Sequence, residues 1–81
     1  PKEVVLRADI RQSKYLRALP LHHSQREVVH DEYSLFYLKL RLTPDFVQEL
    51  LSYGANIQVV SPPELKAMVA TALRDALAQY E

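Results

Sequence analysis

Val4, Leu6 and Ala8 alternate with Val5, Arg7 and Asp9 at the start of the chain. A hydrophobic period of two predicts a strand. Arg11 to Leu19 reads as a short helix with Tyr15, Leu16 and Leu19 on its apolar edge, and Pro20 ends it. Leu21 to Ser24 is a linker, Gln25 to His30 a second strand, and Asp31-Glu32 a polar turn. The third strand is the clearest. Phe36, Leu38, Leu40 and Leu42 take one face, while Leu35, Tyr37, Lys39 and Arg41 take the other. Thr43 then caps a helix that Pro44 opens, with Phe46, Val47, Leu50 and Leu51 at helical spacing.

The stretch LLSYGANIQVVSPPEL, Leu50 to Leu65, is the richest in boundary signals. Gly54, the only glycine, falls where a helix end favours a residue tolerant of positive φ. Asn56 to Val60 predicts a fourth strand. Ser61, Pro62 and Glu64 predict a helix start, with Ser61 as the cap, Pro62 at the first position and Glu64 reaching back to Ser61. The helix would run from Ser61 to Tyr80.

The resulting order is β-α-β-β-α-β-α. Its first six elements are the split β-α-β of a ferredoxin-like α+β sandwich, a four-stranded antiparallel sheet with an additional C-terminal helix. Right-handed crossovers place both early helices on one sheet face, with strands one and three central. Leu6, Phe36, Leu38, Leu40 and Leu42 would meet Leu16, Leu19, Phe46, Leu50 and Leu51. The last helix carries more apolar surface than one core needs. Its arc from Met68 round to Ala70 spans about 200°, against a little over ~100° for a core-facing helix. Either its alanines merely widen the arc, or Leu73 and Leu77 dock on a partner subunit or the parent chain.

Eighty-one residues make one domain, and no cysteine is available for a disulfide or a thiolate metal site. The absence of cysteine fits a reducing cytoplasm. No apolar run approaches the ~20 residues of a spanning helix, so no membrane partner is expected. The chain begins at Pro1, not Met, which leads us to expect a piece of a longer protein. Net charge is zero but unevenly placed. Residues 1–44 hold eight basic and five acidic residues, and residues 45–81 hold two and five. Solvated faces account for this, and so does a basic front half that meets an anionic ligand.

No activated nucleophile, phosphate loop or calcium loop is visible, so no enzyme, cofactor or metal is expected. His22 and His23 are adjacent and lack a third ligand at useful spacing, so His22 is better read as anchoring the linker by a hydrogen bond. Tyr37, Lys39 and Arg41, joined by Arg7 of the neighbouring strand, stand on the open sheet face. Cations beside an aromatic on such a face suit single-stranded nucleic acid, although RNA-recognition modules usually offer about two or three stacking aromatics and only Tyr37 is expected here. The face is equally open to cover by another domain or by the last helix.

VVLRAD at Val4–Asp9, YLRALPLHHSQ at Tyr15–Gln25, LLSYGANIQVVSPPEL at Leu50–Leu65 and the terminal helix ending in Tyr80 together resemble a bacterial module. It is the C-terminal extension, or WCX domain, of WYL-domain transcriptional regulators. Pro20, Leu21, His22, Ser24 and Gln25 match its Pro-Leu-His-x-Ser-Gln turn. Tyr53 fills the aromatic place before Gly54. Ile57, Val59 and Pro62 follow its Val-x-Val-x-x-Pro spacing, with Ile for the first Val. One departure is the short Asp31-Glu32 hairpin, where relatives often carry a glycine-bearing turn.

The resemblance implies a parent protein with a winged helix-turn-helix that binds promoter DNA, a middle WYL domain that senses a ligand, and this piece last. It implies a ferredoxin-like fold that joins protomers, as a homodimer, or frames the sensing site for an anionic or nucleic-acid effector. It brings no catalytic residues. On this reading Arg7, Tyr37, Lys39 and Arg41 contact an anionic ligand or the WYL domain, and Leu73 and Leu77 contact a partner. The alternative is a single-stranded nucleic-acid-binding module that uses the open sheet face.

Overall fold

A computed structural model describes residues 1–81. Four strands, β1 (Lys2–Asp9), β2 (Arg26–Val29), β3 (Tyr33–Leu40) and β4 (Ile57–Ser61), form one sheet in the order β2-β3-β1-β4. Each neighbouring pair is antiparallel. Three helices accompany them: α1 (Ile10–Ala18), α2 (Pro44–Leu51) and α3 (Pro63–Ala78). The ferredoxin-like α+β expectation holds, with β1 and β3 central and a helix added at the C-terminal end.

The core follows from the alternation. Val4, Leu6 and Ala8 on β1 and Phe36, Leu38 and Leu40 on β3 point to one side, where Leu16, Phe46, Val47, Leu50, Val59 and Leu65 close over them. Leu42 and Leu51 pack at the margin, half-buried. Leu19 does not join them. It caps α1, its N–H donating to the Tyr15 carbonyl, and it is 74% exposed because its backbone has left the helix (φ −128°, ψ 80°) and no longer follows the apolar edge.

Helix ends differ in how they are satisfied. Asp9 Oδ1 accepts from Gln12 N (2.7 Å) to start α1, and Thr43 Oγ1 accepts from Phe46 N (3.1 Å) to start α2. Gly54 takes φ +59° two residues beyond the cap residue Ser52, where the chain leaves α2 for a short 3-10 turn, Gly54–Asn56. The expected Ser61 cap is corrected. Ser61 belongs to β4, paired opposite Val5, so its backbone is extended and committed to the sheet. Pro62 is the cap residue without a side-chain bond, Pro63 opens α3, and Glu64 turns to Lys2 instead (Nζ–Oε2 2.9 Å).

Asp31 and Glu32 form a two-residue loop, with His30 N donating to Tyr33 O (2.8 Å). This settles the hairpin register: Val29 faces Ser34, and Arg26 faces Tyr37. The linker before β2 is tied by side chains. Ser24 Oγ accepts from Lys39 N (2.9 Å), donates to Lys39 O (3.1 Å) and lies 2.7 Å from His22 Nδ1. Gln25 accepts from Leu21 N and donates to Leu16 O. His22 therefore anchors the linker, as its place in the turn suggested.

Candidate functional site

The side of the sheet away from the core carries no helix. Its residues are fixed by strand parity: Glu3, Val5 and Arg7 on β1; Tyr33, Leu35, Tyr37 and Lys39 on β3; Arg26 and Val28 on β2. Packing of α3 against β4 and beside α2 leaves this face uncovered, so the last helix is not its lid. Val5, Leu35, Tyr33 and Tyr37 stay half-exposed and Val28 is exposed, although Val4, Leu6, Phe36 and Leu38 on the opposite side are fully buried.

Arg7, Tyr37 and Lys39 are brought together here. Arg7 sits opposite Leu35, Tyr37 opposite Val5, and Lys39 opposite Glu3. Arg41 is not with them. β3 ends at Leu40, and Thr43 N donates to Arg41 O (3.1 Å) in a tight turn toward α2. Arg41 instead lines a shallow groove with Leu21, His22, Leu40 and Phe46.

Three side chains missed in the sequence complete the face. The Arg7 guanidinium lies 3.8 Å from the centroid of the Tyr33 ring, a cation–π contact. On the β2 side of Tyr33, the His30 ring stacks at 4.7 Å with a 16° interplanar angle. Arg26 lies over Tyr37 at 5.8 Å. Two tyrosines, not one, therefore stand on β3. Carrying the period of two back from Tyr37 through Leu35 to Tyr33 would have found the second.

The charges on this face are mainly basic, Arg7, Arg26 and Lys39 against Glu3. Glu3 lies across from Lys39 and 3.8 Å from Arg26. Arg7 has no carboxylate partner among the ion pairs and is held by Tyr33. An apolar middle with a polar, charged rim is the anatomy of a protein-docking surface. An unpaired arginine on an aromatic ring at one end adds a spot suited to an anion or a planar ring.

A second exposed apolar surface runs along α3. Only Leu65 is buried on this helix, with Val69 half-buried, while Leu73 and Leu77 are 48% and 56% exposed. No group of three or more His, Cys, Asp or Glu side chains converges anywhere, and the His22 and His23 rings lie tilted against each other with centroids 4.1 Å apart. No helix is long and apolar enough to cross a membrane.

A search of curated proteins finds no match to this chain. Among family models, that of the WCX domain matches residues 1–77, nearly the whole of the sequence and every element of the sheet. The chain belongs to the WCX domain family, a domain of WYL-type regulators.

Proposed function

We propose that this chain is a regulatory and assembly module of a cytoplasmic bacterial WYL-type transcriptional regulator, without catalytic activity of its own. In this reading it is the C-terminal part of a longer protein. The WYL domain of the parent covers the sheet face around Val5, Leu35 and Tyr37. Leu73 and Leu77 on α3 meet the partner protomer of a homodimer. Promoter DNA is bound by the winged helix-turn-helix of the parent.

The observation that carries the reading is the uncovered sheet face, apolar at its centre and mainly basic at its rim. Arg7 at the edge of that face, on Tyr33, contacts an anionic effector held between the two domains. Such a ligand acts only through different affinities for two packings of the protomers, and so biases the DNA-binding state. Reversing Arg7 and Lys39 to Glu in the full-length regulator should abolish effector response while leaving the fold intact by circular dichroism. An unchanged response removes the effector role.

The second tyrosine favours one other reading. Tyr33, Tyr37, His30 and the flanking arginines offer stacking positions for single-stranded nucleic acid. Fluorescence anisotropy of this chain with labelled single strands tests it. Micromolar binding that weakens steeply with salt supports that reading, and no binding leaves the docking role alone.

A further inference from the structure

The two edges of the sheet are treated differently. β2 is four residues long and carries Arg26 and Glu27, the short and charged pattern that protects an edge from stray pairing. β4 carries Ile57, Gln58, Val59 and Val60, with no charge. It pairs with β1 on one side only, and none of the turn, loop or cap hydrogen bonds uses a backbone group of Ile57–Ser61. Its outer row of N–H and C=O groups is therefore unpaired by the chain.

That edge has a wall beside it. A groove of about 410 Å³ lies between β4 and α3, lined by Gln58 and Val59 from the strand and by Val69, Ala70 and Leu73 from the helix. Gln58 and Val59 point to opposite faces of the sheet, so a groove that touches both runs along the strand edge. Lys66 stands in the same groove, exposed and without an ion-pair partner, and no acidic side chain lines it.

We propose that this edge is a strand-addition site for an extended segment of a partner protein, which pairs with β4 as a fifth strand. Backbone hydrogen bonds along Ile57–Ser61 provide sequence-independent affinity, and pockets for alternate side chains provide selection. Residues of the segment that face α3 are small and apolar, resting on Val69, Ala70 and Leu73. An Asp or Glu of the segment pairs with Lys66. This uses only β4 and α3 and stands whatever the sheet face binds; at Leu73 the segment competes with the protomer contact proposed above.

Selection of a displayed random-peptide library on the 81-residue chain, followed by NMR titration with the enriched peptide, tests it. The expected peptides alternate Val or Ile with other residues and carry one acidic residue, and they bind with Kd below about 100 μM. Amide shifts should concentrate at 57–61 and 66–73. Lys66→Glu should weaken binding about tenfold, and Leu73→Lys should weaken it as well. Both positions are exposed, so the variants should keep the native amide spectrum. No enrichment, shifts centred on Tyr33 and Tyr37, or an affinity unmoved by Lys66→Glu would overturn the proposal.

Discussion

Arg17 of α1 and Glu27 of β2 form a two-pronged ion pair, Nε to Oε1 at 2.8 Å and Nη2 to Oε2 at 2.6 Å. Ser34 of β3 donates to the same Oε2 (2.6 Å). Three elements thus converge on one carboxylate that is mostly shielded from solvent. The bonds from Arg17 hold the Glu27 carboxyl below its usual value of 4.5, with Ser34 adding to the effect against the opposing cost of burial.

The sign of the pH effect follows. A carboxylate with a depressed folded-state pKa adds stability above its unfolded value, and that stability is lost as pH falls through the folded value. Glu27→Gln should lower the melting temperature by a few degrees at pH 7. The gap between wild type and variant should close as pH drops below about 4. Thermal denaturation followed by circular dichroism at pH 7 and pH 3 checks it.

Leu65 and Leu77 lie on the same helix with opposite roles. Leu65 is fully buried, so Leu65→Ala should cost about 2–5 kcal/mol in urea denaturation. Leu77 is exposed, so Leu77→Ala should change stability by less than about 0.5 kcal/mol. In the full-length regulator the same Leu77 variant should shift the homodimer proposed above toward monomer in sedimentation velocity.

At Gly54 an added Cβ meets nothing within 4 Å, so the penalty for Gly54→Ala is conformational alone. Holding a side-chain-bearing residue at φ +59° should cost about 1–2 kcal/mol, read by chemical denaturation.

Ser24→Ala removes the hydroxyl that binds both backbone groups of Lys39. The loss should be about 1 kcal/mol. Its specific signature is faster hydrogen exchange at the Lys39 amide, with the other β3 amides little changed.

β1 and β3 were legible because each buries one face completely, which makes a strict alternation unavoidable. The cap of α2 was legible because Thr43 and Pro44 sit together with no competing signal. Ser61 misled because two prolines follow it, and either can open a helix. Only the pairing of Ser61 with Val5 decides between them, and that is a contact between distant parts of the chain. Arg7, Tyr37 and Lys39 could be assigned to one face from parity alone. The same parity reaches Tyr33, but His30 and Arg26 could not be assigned, because their positions depend on a hairpin whose turn lacks glycine. Arg41 misled for the converse reason: its parity is right, but the strand stops before it.

α3 is fastened to the fold near Leu65 and Val69, and from Leu73 onward every residue is exposed. A short length of helix without packing hovers near its melting point in water. The stretch from Leu73 to Ala78 is therefore a built-in reporter of occupancy. Its amides should exchange fastest among the helical residues when the surface is vacant and slow sharply once a binding protein settles on it.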